Sequence, residues 1–276
     1  MSTAARVSLD RREPNAVLSR MALSGEPTKM DKELNDKRRV LGLSSVQNVR
    51  DLGGYTTADG STTRWGRFVR SGDMDQLSEA DQQALVTHGV GTVIDLRMEK
   101  ETAAAPNQFS NSALVDFKVH DFWGHRFDNY RSRNKTASPE QKLADLYCEG
   151  LRQSAFVMAD IMRTIANAPR GVAFHCRSGK DRTGLVAAFL LELVGVPRAK
   201  VCADYSLTAG LLISADADKQ IDPNQPGAYL RGCAPETMAR TLTFVDEEFS
   251  GVANYLAAEG LSPHDLNRIR SKLLAE

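Results

Sequence analysis

Two hydrophobic periods alternate along most of this chain. GTVIDLR at 91–97 and GVAFH at 171–175 are short, nearly continuous apolar runs, as expected of strands buried on both faces. ALVDFKVH at 113–120 alternates, and RWGRFVRSG at 64–72 reads as a strand running into a loop. Between these, LSEADQQALVTHGV at 77–90 predicts a helix, with Ser78 as N-cap, Asp81 three residues on and Gly89 as the stop. SAFVMADIMRTIANA at 154–168 has helical apolar spacing. RTGLVAAFLLELVGV at 182–196 is apolar on nearly every face and predicts a buried helix. The C-terminal third reads as helical, with breaks at DPNQPG (222–227) and Gly260. Strands alternating with helices predict an α/β fold: a central, mainly parallel sheet flanked by helices.

The remaining stretches set the boundaries. Residues 1–40 are polar with little periodicity, and are expected to form a flexible arm with a short helix at 30–41. That leaves 41–276 as a single domain. VQNVRDLGGY ends in a Gly53-Gly54 turn, and ADG at 58–60 is a hairpin turn. Arg50 and Asp51 in this stretch read as a structural charged pair. Residues 126–150 are polar, with spaced apolar points at Phe127, Tyr130, Leu143, Leu146 and Tyr147. They predict a helical insertion acting as a lid.

Charge narrows the choice of partners. The 35 basic and 35 acidic residues cancel, so no overall field draws the chain to nucleic acid or an acidic membrane. Any anion site must be local. Cys148, Cys176, Cys202 and Cys233 show no CxxC pairing and no metal-ligand spacing with histidine. Four thiols in so long a chain suit a reducing compartment. Cys202 and Cys233 read as buried. The N-terminal stretch lacks the apolar core of a signal peptide. The longest apolar run, LVAAFLLELVGV at 185–196, is too short to span a bilayer and contains Glu192. A cytoplasmic location without membrane insertion is expected, although export without a leader leaves no mark of this kind.

The chemistry concentrates in HCRSGKDRTG at 175–184, between a predicted strand and a predicted helix. Ligands of such sheets bind beyond the carboxyl ends of the strands. A loop entering a helix presents several N–H groups to one point, where the helix dipole adds positive charge. Gly179 lets the chain curl, Arg182 can fork two hydrogen bonds to a phosphoryl group, and Cys176 falls at the floor. Thiols in such surroundings have pKa values of roughly 3.5–7.5. The same positive charge would make a nucleophile and bind an anion. A nucleotide phosphate loop is excluded, because Asp181 follows Gly179-Lys180 where Ser or Thr is required.

HCxxGxxRTG resembles the signature of the cysteine-dependent protein tyrosine and dual-specificity phosphatases. With NVRDLGGY, RFVRSG and VIDLR upstream, the chain is similar to the bacterial and fungal tyrosine phosphatase family from about Val46 onward. The resemblance implies a metal- and cofactor-independent phosphatase working through a phosphocysteine on Cys176. Arg182 would bind the phosphoryl oxygens, His175 would order the loop and favour the thiolate, and Thr183 would bond the sulfur. Arg177, Ser178, Gly179, Lys180 and Gly184 would complete the substrate-binding loop. Asp181 and Asp121 compete as the general acid, with Asp181 ahead. Asp95 reads as half of a structural pair with Arg97, and His120, Trp123 and His125 as possible pocket walls. The resemblance implies a phosphotyrosine protein as substrate, and the basic positions 177 and 180, which resemble those of 3-phosphoinositide phosphatases, leave dual-specificity or phosphoinositide activity open. The alternatives are a phosphoinositide or inositol-phosphate phosphatase, a phospho-ligand binding module and a rhodanese-type sulfurtransferase.

Overall fold

The strands form where the buried runs were expected. The computed structural model describes residues 28–124, 136–212 and 227–275. β1 (Arg50–Asp51), β2 (Phe68–Ser71), β3 (Val90–Asp95), β4 (Asp116–Val119) and β5 (Gly171–His175) make one sheet in the order β1-β2-β5-β3-β4. β2, β5, β3 and β4 run parallel, and only β1 is antiparallel to its neighbour. β5 lies in the middle, so the residue at its carboxyl end emerges at the centre of the sheet.

The helices are α1 (Lys29–Leu34), α2 (Glu79–His88), α3 (Glu99–Ala104), α4 (Pro139–Gln153), α5 (Ala155–Asn167) and α6 (Asp181–Leu193). After them come α7 (Arg198–Ser206), α8 (Thr208–Leu211), a 3-10 turn (Ala228–Arg231), α9 (Pro235–Phe249), α10 (Val252–Ala258) and α11 (Pro263–Leu273). Strand alternation divides the core. Phe68, Ile94, Val172 and Phe174 face the large cluster built with α4–α7 and α9–α11. Val69, Val93 and Ala173 face a smaller cluster with Leu77, Leu85 and Phe109. In α6 every residue from Leu185 to Leu191 is buried, as its all-round apolar sequence requires. Glu192, which follows this run, pairs with Arg198 at 2.8 Å.

Two boundaries differ from expectation. Residues 28–40 pack onto the domain. Arg39 is fully buried, donating to Glu33 O and Asp51 O and stacking 3.8 Å from the Tyr55 ring centroid. The helix stops at Leu34, well short of 41; residues 1–27 lie outside the described residues. The second difference concerns the expected lid. α4 buries Leu143, Ala144, Leu146, Tyr147 and Leu151 in the main core. Its spaced apolar positions are the inward stripe of an amphipathic helix, so α4 packs as a wall of the domain. Phe127 and Tyr130 lie outside the described residues.

Candidate active site

The loop Cys176–Lys180 joins β5 to α6 at the centre of the sheet, and its carbonyls define its shape. His175 Nδ1 approaches Cys176 O at 3.2 Å, and Asp73 N donates to Arg177 O at 2.9 Å. Asn48 Nδ2 donates to Ser178 O at 2.9 Å, an arginine NH2 of Arg70 donates to Gly179 O at 2.8 Å, and Gly184 N donates to Lys180 O at 2.8 Å. The carbonyls of Arg177, Ser178 and Gly179 are thus held by other segments, that of Cys176 by the neighbouring histidine ring and that of Lys180 by the first turn of the helix. In a trans peptide the N–H points opposite to the carbonyl, so the following N–H groups turn inward. That is an anion nest, and it opens at the N-terminus of a 13-residue helix. Gly179 makes the curl possible: its φ is +67°, and a Cβ there would lie 2.3 Å from Ser71 O.

Cys176 is buried at the base of this loop. Arg182 NH1 and NH2 grip the Glu101 carboxylate at 2.5 and 3.0 Å, and the guanidinium lies 5.5 Å from the Trp123 ring centroid. Two polar groups are left over: Arg182 Nε and Thr183 Oγ1 are buried without a hydrogen-bond partner. A buried polar group without a partner calls for an explanation, and an anion bound in the loop would supply one here. Both sit on the first turn of α6, where an anion in the nest would meet them. Although burial opposes its charge, Arg182 is held above the ordinary arginine range by Cys176, Glu101 and Asp181. Glu101 is held below the usual carboxylate range: burial opposes this, but Arg182 outweighs it.

His175 is wholly buried, and its tautomer follows from its neighbours. Phe109 N donates to Asn107 Oδ1 at 2.8 Å, which fixes the Asn107 amide. Asn107 Nδ2 must then donate to His175 Nε2, at 2.7 Å. The ring is neutral, with its proton on Nδ1 directed at Cys176 O. Burial lowers its pKa, which fits, although Asp95 at 3.5 Å pulls the other way. Asp95 is held mainly by Arg97 in a buried forked pair, and Arg97 also reaches Asp73 at 2.8 Å.

The two candidate acids occupy different places. Asp181 is the first residue of α6, inside the loop itself, and Tyr147 Oη donates to its Oδ1. Asp121 spends both oxygens on backbone, accepting from Gly124 N at 2.6 Å and from Glu99 N at 3.3 Å at the start of α3. Only Trp123, two residues on, brings that loop against Arg182. Lys180 departs from the expected placement. Its buried ammonium donates to Leu230 O and to Gly232 O at 3.0 Å, and lies 3.3 Å from Asp181 Oδ1. These contacts tie the 3-10 turn to the loop. Arg177 is exposed and Ser178 half-buried. Gly184 is a packing position, where a Cβ would lie 3.0 Å from the Tyr205 ring.

The comparisons with known proteins show the family of the chain. The model of the tyrosine phosphatase family matches residues 41–275. The chain belongs to the tyrosine phosphatase family. It is 30% identical to a tyrosine-protein phosphatase of Nostoc commune over 219 residues, covering 75% of this chain and 74% of that one. It is 27% identical to the triple specificity protein phosphatase PtpB of Mycobacterium tuberculosis, covering 85% of this chain and 99% of that one. The solved structure of P. aeruginosa TpbA in complex with pTyr is 19% identical and overlaps at a TM-score of 0.29, covering 66% of this chain and 87% of that one. That overlap is too slight to bear on the fold. Among the described residues, no helix is long and apolar enough to cross a membrane.

Several residues that build this phosphatase site carry no local sequence signal. Asp204 on α7 accepts from Arg70 NH1 at 2.6 Å, from Arg50 Nε at 3.1 Å and from Tyr55 Oη at 2.9 Å, all buried. Arg50 is structural, as expected, but its carboxylate is Asp204. Asp51 instead binds Gly53 N, Gly66 N and His88. Glu101, Asn107, Tyr147 and Arg70 were likewise missed; their partners are 34 or more positions away in the chain. His120 bonds Thr164, away from the loop, and His125 lies outside the described residues. Cys202 is buried as expected, but Cys233 is half-exposed.

Proposed function

We propose that this tyrosine phosphatase hydrolyses phosphotyrosine in proteins through a phosphocysteine on Cys176, with Asp181 as general acid and then general base. The observation that carries the reading is the outward pinning of the Arg177, Ser178 and Gly179 carbonyls, which leaves inward N–H groups around Cys176 with the buried, unpartnered edge of Arg182 beside them. In the first step the Cys176 thiolate forms an S–P bond as the P–O bond to the tyrosyl oxygen breaks. Asp181 passes its proton to that oxygen and is left as a carboxylate. In the second step water attacks phosphorus, Asp181 takes its proton, and the thiolate leaves, releasing inorganic phosphate. The N–H groups and Arg182 carry the charge on the equatorial oxygens throughout. Glu101 holds Arg182 so that its Nε edge stays toward the anion.

The position of Lys180 favours phosphotyrosine over a polyphosphorylated head group, since its charge is already spent on two backbone carbonyls. Arg177, exposed on the loop, is the residue left to add lipid activity. The test is phosphate release from a phosphotyrosine peptide and from phosphatidylinositol 3-phosphate, side by side in EDTA, with Cys176→Ser as the blank. Peptide turnover well above the blank and above lipid turnover is expected, and Arg177→Ala should reduce only the lipid rate. Lipid preference would reverse the substrate assignment. Wild type equal to the blank on both would leave a phospho-ligand binding module.

A further inference from the structure

The two oxygens of Asp181 are not equivalent. Oδ1 accepts the Tyr147 phenol and faces the Lys180 ammonium at 3.3 Å. Tyr147 Oη is in turn 2.8 Å from Tyr205 Oη. A carboxylate can only accept, so Tyr147 must donate to Asp181, and the remaining proton between the phenols must come from Tyr205. The direction of the chain is therefore fixed as Tyr205, Tyr147, Asp181. The two rings meet edge to face, 6.3 Å between centroids and 87° apart, and both are buried. Tyr147 projects from the core stripe of α4 and Tyr205 from α7 against Gly184. The carboxyl is thus held by two elements outside its own helix.

We infer that Tyr147, backed by Tyr205, is a positioning residue for the general acid: by occupying Oδ1 it leaves Oδ2 as the oxygen that carries the catalytic proton, and it favours the carboxylate that the second step needs. The inference rests on the reading of Asp181 as the general acid. The groups facing Asp181 are Tyr147 on α4, Tyr205 on α7, Lys180 and Arg182 on its own segment, and Cys233 beside Lys180. Burial holds the phenol of Tyr147 protonated well above its ordinary range, so it acts as a donor throughout the working pH range. Removing that donor destabilises the carboxylate, so the acid keeps its proton to higher pH. It also releases the carboxyl from its single orientation.

The test is the pH profile of kcat/KM for phenyl phosphate and p-nitrophenyl phosphate, in wild type, Tyr147→Phe, Tyr205→Phe, Asp181→Asn and Asp181→Asn/Tyr147→Phe. The descending alkaline limb reports the acid. In Tyr147→Phe it should move up, with about a tenfold loss at the wild-type optimum on phenyl phosphate, which needs the proton. Little loss is expected on p-nitrophenyl phosphate, whose leaving group does not. Tyr205→Phe should give a smaller change of the same kind. In the Asp181→Asn background, Tyr147→Phe should cost nothing further. Orthovanadate affinity should be unchanged in Tyr147→Phe, showing the anion nest intact. An unmoved limb, or equal loss on both substrates, would overturn the positioning role. Asp181→Asn with a wild-type profile would instead remove the general acid, and the inference with it. If Tyr147→Phe does not fold, Tyr205→Phe decides by the same two readouts.

Discussion

Asn107 does for His175 what a carboxylate often does for a catalytic histidine, but with the opposite sign. Its amide is fixed by Phe109 N, so it offers His175 Nε2 a proton and not a lone pair. The imidazole is thereby kept neutral and its Nδ1 proton is aimed at the Cys176 carbonyl. The ring therefore reaches the loop carbonyl without adding a charge. Asn107→Leu should leave Nε2 buried and unpaired, at a cost of about 1–3 kcal/mol. The cost would be read as a fall of several degrees in melting temperature. Nitrogen NMR of the wild type at pH 7 should find a neutral His175 ring protonated at Nδ1. A ring protonated at Nε2 would contradict the assignment.

At the scale of elements, the site is a loop held from three directions, with a carboxylate of α7 anchoring one of the holders. β2 supplies Arg70, the segment before β1 supplies Asn48, α7 supplies Asp204, and the segment after β2 supplies Asp73 N. Asn48 takes a left-handed backbone, φ 58°, to reach Ser178 O, a conformation asparagine tolerates well. Asp204→Asn removes the carboxylate shared by two buried arginines. It should cost about 3–5 kcal/mol and weaken vanadate binding as Arg70 loosens its hold on Gly179 O. Unchanged stability and vanadate affinity would show that the loop is held by its other contacts. The strands, the helices after β2 and the loop from His175 to Gly184 were legible because their signals are local: β-branched runs, an N-cap serine, a glycine stop, a ten-residue motif. The packing of α4 was not legible, because a core stripe and a covering face have the same apolar spacing; the packing partner tells them apart, and for α4 it is the main core. Asp204, Glu101 and Tyr147 were illegible for a related reason. Each finds its partner only when distant elements meet, and nothing beside it in the chain marks the event.

For the whole molecule, formal neutrality hides an uneven distribution of ionised groups. The depressed pKa values set the direction of its pH dependence. Burial lowers His175 and His120 below their ordinary 6.5. Burial opposes ionisation of Asp204, Asp95 and Glu101, but Arg50 and Arg70, His175 and Arg97, and Arg182 respectively hold them below their ordinary 3.8 or 4.5. In every case the unfolded chain binds protons at a higher pH than the folded one. Their contributions are therefore present above the unfolded pKa and lost as pH falls. Asp73, raised by burial, acts in the opposite sense. The histidines should begin the loss below about pH 6.5 and the carboxylates deepen it below about 4.5. Urea unfolding midpoints measured from pH 8 to pH 3 should decline in these two windows. His120→Gln should remove part of the first decline and leave the second intact, because His120 bonds only to Thr164 and its own surroundings while the carboxylates hold the loop. A midpoint that stays level or rises between pH 6.5 and pH 3 would mean that the buried arginine pairs do not hold their carboxylates ionised in the folded protein, and the account of how the loop is braced would fall with them.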